Sequence, residues 1–160
     1  MKRLILMRHA QAQLERFDFN DRERAITMAG MHELDAIRVK IQGHLEGINL
    51  ILCSNAKRTR QTLDGLKPLV PSTAHIVYKD ELYHTNSKIL WNCLSEVEEV
   101  NQGVMIVAHN PGLTQFIQEL EPTIPFKEFP TSGVAIYEGE FPSWQEASPR
   151  YLRLRKLLVV

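Results

Sequence analysis

One hundred and sixty residues, 44% hydrophobic and 24% charged, describe an ordinary folded domain and exclude a disordered chain, a collagen and a coiled coil. Nineteen Lys and Arg balance nineteen Asp and Glu, so no bulk positive field exists to hold nucleic acid or an anionic membrane. Any anion site must be local and built by geometry. Cys53 and Cys93 form no C-x-x-C pair and read as small buried hydrophobes of a reducing compartment. The apolar run Leu4 to Met7 is too short for a signal peptide, and no stretch approaches a membrane span. The expectation is a cytoplasmic monomer with one domain over 1–160.

In chain order, Leu4 to Met7 predicts a strand buried on both faces. Met31, Leu34, Ile37, Ile41 and Leu45 recur at steps of three and four, one helical face that Thr27 could cap although Gly30 spoils a capping box. Ile48 to Cys53 is a second strand, followed by a helix opening at Ser54 or Asn55 and fading by Pro68 and Pro71. His75 to Tyr78 is a third strand. Asn86 caps a helix with face Leu90, Cys93 or Leu94, and Val97. Val104 to Ala108 is the most apolar strand, and Asn110 caps the next helix with Pro111 at its first position and Phe116, Ile117 and Leu120 buried. Val134 to Tyr137 and Tyr151 to Leu157 are further strands. Alternation of Leu152 and Leu154 with Arg153 and Arg155 suggests an antiparallel edge. Together these predict an α/β domain of three layers, α/β/α, around a largely parallel sheet with an antiparallel edge strand.

Ligands of open α/β sheets sit beyond the carboxyl ends of the strands. Arg8-His9 follows the first strand, Ser54 to Thr59 the second, and His109-Asn110-Pro111-Gly112 the Val104 strand. Two histidines, Arg8 and Arg58, with two helix N-termini, converge on one edge, an arrangement suited to a dianionic phosphoryl group. Taken singly, Arg8-His9 could be a surface pair and His109 a satisfied buried histidine. Arg58 in a first helical turn opposes the helix dipole, so its placement needs another reason.

Leu6-Met7-Arg8-His9-Ala10, Ser54-Asn55-Ala56-Lys57-Arg58-Thr59-Arg60-Gln61-Thr62 and Val107-Ala108-His109-Asn110-Pro111-Gly112-Leu113 resemble the three motifs of the histidine phosphatase superfamily, which includes phosphoglycerate mutases. Glu23-Arg24-Ala25-Ile26-Thr27, Glu81-Leu82-Tyr83-His84 and Phe129-Pro130-Thr131-Ser132-Gly133 are similar to the SixA-like phosphohistidine phosphatases. The resemblance spans nearly the whole chain and implies a phosphoglycerate mutase-like fold without a lid domain.

It further implies His9 as the nucleophile, Arg8 and Arg58 as phosphoryl clamps, His109 as a donor and Arg24 at the pocket rim, with no metal or cofactor. Phosphate, sulfate, vanadate or tungstate are the implied small ligands. The implied substrate is a phosphorylated protein of a phosphorelay or phosphotransfer chain; the rival is a small phosphomonoester or a mutase reaction. Mutase-type relatives carry a carboxylate acid near where this chain has His84, which could be a weak acid, a substrate contact or a loop histidine. Asp80, Glu81 and Glu23 are other acids to consider. Thr131-Ser132-Gly133 reads most simply as a polar turn entering a strand. A metal hydrolase through His9, His84 and His109 lacks H-x-H or H-E-x-x-H spacing. The segments that could cover the pocket, Gln11 to Ile26, Lys79 to Thr85 and Glu121 to Thr131, are short, which predicts an open site.

Overall fold

The computed structural model describes all 160 residues. Six strands form one sheet: β1 (Lys2–Arg8), β2 (Leu50–Ser54), β3 (His75–Lys79), β4 (Gly103–Ala108), β5 (Val134–Gly139) and β6 (Arg153–Leu158), in the spatial order β3-β2-β4-β1-β5-β6. The first four strands of that order are parallel, whereas β5 is antiparallel to β1 and β6 to β5. Four helices cover the sheet: α1 (Met28–Ile41), α2 (Lys57–Leu66), α3 (Ser87–Ser95) and α4 (Gly112–Leu120).

The central strands read as unbroken apolar runs because both faces are covered. Leu4, Leu6, Val104 and Ile106 join α3 and α4 in one core, while Ile5, Met7, Met105 and Val107 join α1 and α2 in the other. The three layers and the antiparallel edge are therefore as expected. No helix is long and apolar enough to cross a membrane.

Several local expectations shift. Thr27 caps α1, its hydroxyl accepting from the Gly30 N–H at 3.0 Å. Met31, however, is exposed, because the first turn packs through Gly30 against Gln11 rather than on the sheet. Helix α2 opens at Lys57 with Ala56 as its cap residue, not at Ser54 or Asn55. Helix α4 opens at Gly112 with Pro111 in the cap position. Asn110 does not cap it; its amide donates instead to the Phe129 carbonyl at 2.8 Å. The alternation in β6 breaks where the β5–β6 register shifts between Ile136 and Tyr137. Leu154 and Leu157 consequently pack on the same core.

Gly30 is the glycine on which the site's wall depends. A β-carbon there would lie 2.2 Å from the Gln11 carbonyl oxygen, which already accepts the Thr27 N–H at 2.9 Å. Gly30→Ala should lower unfolding free energy by about 1–3 kcal/mol, the usual cost of overpacking against unyielding backbone. Gly65→Ala, whose new methyl meets only the flexible Leu34 side chain at 3.1 Å, is the control and should stay near parental stability in the same urea titration. Equal stability of the two variants would contradict the packing described.

Candidate active site

Sheet register creates the site. Arg8 pairs with Ala108 across parallel β1 and β4, so the next residues, His9 and His109, emerge side by side with ring centroids 5.1 Å apart. The backbone at that point is pinned. The Arg8 N–H donates to Gly133, the His9 N–H to Ala108 at 3.3 Å, and the Ser132 N–H to the His9 carbonyl at 3.0 Å. Ser132 takes a left-handed φ of 57° to do so, a strained conformation for a non-glycine residue.

The proton on each imidazole follows from its partner. His9 Nδ1 lies 2.7 Å from the Ala10 carbonyl, which can only accept, so Nδ1 carries the hydrogen and Nε2 keeps its lone pair. His109 Nε2 lies 2.7 Å from the Ser54 hydroxyl. That buried hydroxyl accepts from the Ala56 N–H at 3.3 Å, and the His109 nitrogen is the acceptor left for its proton. His109 therefore holds its own proton on Nδ1, a buried donor without a partner. Burial holds His9 at about 3; the Ala10 bond pulls the other way, and Arg58, Arg8 and Arg24 add to the lowering. Burial, with His9 and Arg58 adding, brings His109 to about 2. Both rings are neutral near pH 7.

Three arginines complete a cleft of about 280 Å³ whose walls include Arg8, His9, Arg24, Arg58, His109 and Thr131. Arg8 donates to the Phe129 carbonyl at 2.8 Å and meets Glu128 at 3.2 Å. Arg58 is buried in the first turn of α2 and donates to the Asp21 carbonyl at 2.9 Å and its carboxylate at 3.2 Å. Arg24 meets the other Asp21 oxygen at 2.7 Å. Burial pushes the Asp21 carboxyl upward, but bonds from Tyr83 and Arg24 and the Arg58 charge win and bring it to about 2. Of five buried side-chain nitrogen or oxygen atoms without a partner, four belong to cleft residues: Arg8 Nε, Arg58 Nε, His109 Nδ1 and Asn110 Oδ1. The three nitrogens among them concentrate free donors here, as an oxyanion site requires, whereas the Asn110 oxygen can only accept.

The second motif has a mechanical reading. Ser54 sets the His109 proton, and Arg58 enters the cleft. Gln61 accepts from the Ile26 N–H at 2.9 Å, and Thr62 accepts from the Ala10 N–H at 2.9 Å. Asp21, Tyr83, Glu33 and Glu128 are additions that sequence reasoning missed. Glu33 on α1 ties together the Gln11 N–H, Thr131 and Ser132, each at 2.9 Å. Asp21, Glu33 and Glu128 carry no motif signal, since each meets its partners only through the tertiary fold, whereas Tyr83 lies within the Glu81-Leu82-Tyr83-His84 segment, which marks the residue but not its bond to Asp21.

The turn at Thr131 to Gly133 does lead into β5, and Thr131 also lines the cleft. His84 does not line it: its exposed ring stacks on Tyr83, centroids 4.1 Å apart, and Tyr83 in turn lies edge-on to His109. The other acids considered point elsewhere. Asp80 pairs with Arg22, Glu81 with Lys79, and Glu23 borders a separate pocket with Asn55 and Lys57. A larger groove of about 570 Å³ runs along β3 and α3, but it holds none of these histidines or arginines, so size does not mark the reactive place.

No family model matches the chain. An uncharacterized chloroplastic protein of Arabidopsis thaliana is 28% identical over 158 residues, 91% of this chain and 70% of that protein. A solved structure from Agrobacterium tumefaciens, assigned as the phosphohistidine phosphatase SixA, has a TM-score of 0.82 at 28% identity and covers 99% of each chain. A protein histidine phosphatase SixA complexed with tungstate has a TM-score of 0.78 at 20% identity over 98% of this chain and 96% of that one, a likeness of fold. The fold is the phosphoglycerate mutase-like one of the histidine phosphatase superfamily, and the chain is similar to phosphatases of that superfamily. Within that superfamily the chain is similar to the SixA phosphohistidine phosphatases.

The neutral histidine pair makes stability depend on pH. An unfolded chain protonates its histidines near 6.5, whereas the folded values are about 3 and about 2. Between those limits the unfolded state binds more protons, so stability falls as pH drops below about 6.5. At pH 5 each histidine should cost about 2 kcal/mol. The depressed Asp21 value acts only at lower pH, where that carboxylate's contribution is lost in turn. Urea unfolding at pH 7 and pH 5 should show the loss, and a His9→Gln, His109→Gln variant should show a flatter acid limb. An equally steep limb in the variant would refute the neutral pair.

Proposed function

We propose that the protein is a phosphohistidine phosphatase. It removes the phosphoryl group from a phosphorylated histidine of a partner protein, through a phosphorylated His9 and without a metal or cofactor. The observation that carries this reading is the His9 Nδ1–H bond to the Ala10 carbonyl, which leaves Nε2 as a neutral nucleophile among three arginines. The Nε2 lone pair forms a bond to phosphorus while the bond from phosphorus to the substrate imidazole breaks. The electron pair of that bond leaves with the substrate nitrogen, and the proton on that ring's other nitrogen makes the leaving group a neutral imidazole. Water then attacks phosphorus as the bond to His9 Nε2 breaks and its electron pair returns to that nitrogen; a water proton passes to a phosphate oxygen, and dihydrogen phosphate and free His9 are released. Arg8, Arg58 and the His109 Nδ1–H hold the equatorial oxygens, and Arg24 holds the rim.

The cleft walls favour an imidazole leaving group. No Asp or Glu lines the cleft, and the two carboxylates that reach its arginines, Asp21 and Glu128, are ion-paired. An alkoxide leaving from a phosphomonoester needs a proton donor, whereas an imidazole needs one much less. His84, stacked on Tyr83 at the surface, contacts the incoming protein rather than the reacting phosphorus. A cytoplasmic, single-domain monomer completes the proposal, resting in part on two unpaired buried cysteines.

Brief reaction with a phosphohistidine protein and denaturing quench should leave an acid-labile, base-stable phosphoryl label on His9. His9→Ala should lose activity by about three orders of magnitude or more. In a substrate panel, kcat/KM for a phosphohistidine protein should exceed that for phosphoglycerate by at least about a hundredfold, roughly 2.7 kcal/mol of transition-state binding. Comparable efficiency on phosphoglycerate would favour a small phosphomonoester as substrate.

Arg58→Ala should reduce kcat/KM more than Arg58→Lys, and both by at least about tenfold, because a point charge restores attraction but not the forked geometry. Tungstate and vanadate should inhibit the parent and bind Arg58→Ala more weakly. Parental turnover in Arg58→Ala would remove this arginine from the clamp.

A further inference from the structure

Beside the cleft stands an apolar loop to which the chemistry above gives no task. Leu14 is 87% exposed, Phe17 fully exposed and Phe19 45% exposed. Met28 and Met31 of α1 are exposed nearby, while Val39, Tyr78 and Val100 are exposed singly elsewhere on the surface. Single exposed apolar residues are ordinary, but Leu14, Phe17 and Phe19 stand together within one short loop beside the cleft.

The loop is built. Ala12 forms an isolated β-bridge with Ile26, the Gln13 N–H donates to Ala25 at 2.9 Å, and Arg24 donates to the Gln13 carbonyl at 2.5 Å. At the tip Arg16 makes two bonds to Asp18, at 3.1 and 2.8 Å. Its foot is the cleft wall itself, since Gln11, Ala12 and Arg24 line the cleft. The arginines of the segment are all committed: Arg16 to Asp18, Arg22 to Asp80 and Arg24 to Asp21. It therefore offers no free cationic face to lipid, and Leu14, Phe17 and Phe19 project between exposed Glu15 and the Arg16–Asp18 pair.

We propose that Leu14, Phe17 and Phe19 form a docking surface for the substrate protein, received by an apolar patch beside its phosphohistidine. The inference rests on the phosphohistidine reading. His9 is only 7% exposed, and a histidine side chain is short. A folded donor that delivers its phosphoryl group to His9 must lay its own surface against the lip where this loop stands. Aromatic anchors are the side chains that dominate such contacts. A small phosphate compound reaches His9 without touching them.

The test uses the full chain and peptides with a single histidine phosphorylated by phosphoramidate. One set carries a Leu-Phe cluster at varied spacing from that histidine, and a matched set carries serines. The parent should favour the best apolar peptide over its serine match by at least about tenfold in kcat/KM, through KM. A Leu14→Ser, Phe17→Ser, Phe19→Ser variant should lose that preference while hydrolysing phosphoramidate at the parental rate. Peptides cleaved without preference, or a preference that survives in the variant, would overturn the docking surface and leave the phosphohistidine reading intact. A variant that loses phosphoramidate turnover would show that the loop shapes the cleft instead. Sedimentation in which the variant alone is monomeric, with the peptide preference retained, would assign the loop to a second copy of the chain. A parent that cleaves no phosphohistidine peptide yet hydrolyses phosphomonoesters would end both readings together.

Discussion

The hydrogen bond between His9 Nδ1 and the carbonyl of its neighbour Ala10 decides what the cleft can do. A carbonyl cannot donate, so the ring has one tautomer and its free lone pair lies on Nε2. That bond is useful only if Ala10 stays still, and the fold holds it from two sides. The Ala10 N–H is tied to Thr62 on α2, and Thr62 in turn donates to the Arg58 carbonyl one turn earlier at 2.7 Å. On the other side Ser132, in its left-handed conformation, takes the His9 carbonyl. His9 and Arg58, the proposed nucleophile and clamp, thus share one scaffold, and a shift of α2 would misplace both.

Concentrating cations in a neutral protein requires partners for them, because an unpaired buried charge is costly. Asp21 supplies that partner for both Arg58 and Arg24 and is itself bonded by Tyr83. Glu128 does the same for Arg8 from an exposed position. These ion pairs do not exhaust the guanidiniums: each of Arg8 and Arg58 keeps a buried Nε without a partner. A phosphoryl group can engage donors that are already oriented, so little reorganisation accompanies charge development in the transition state. The same desolvation keeps both histidines neutral, which suits the nucleophile proposed at His9 and the donor proposed at His109.

Most of the sheet and the position of the site were legible in the sequence, for a definite reason. Strands covered on both faces appear as unbroken apolar runs, and in a parallel sheet the residues after those runs must gather at one edge. Arg8, His9, Arg58 and His109 could be placed together on that basis alone. Helix starts were less legible, because the polar residues that look like caps were needed elsewhere. Ser54 orients His109 and Asn110 holds the Phe129 loop, so α2 and α4 begin later, behind Ala56 and Pro111. Asp21, Glu33 and Glu128 were not legible at all, since an acid reaching an arginine or a turn far along the chain leaves no periodic or spacing signal. Nor was the exposure of Leu14, Phe17 and Phe19 visible, because apolar letters alone do not say which face they occupy.

The shortness of the segments around the cleft and the leaving group proposed for it are two sides of one constraint. A small sugar phosphate is held mainly by its phosphoryl group in a site without a lid, and its alkoxide departs poorly without an acid. Both deficits disappear for a phosphohistidine on a protein. Its imidazole leaves readily, and the carrier brings surface of its own to the lip, where binding energy remote from phosphorus becomes available for positioning. A cleft whose carboxylates are ion-paired suits the macromolecular donor proposed above better than it suits metabolite turnover. The apolar loop rising from the cleft wall supplies on the enzyme the surface that such a donor needs to meet.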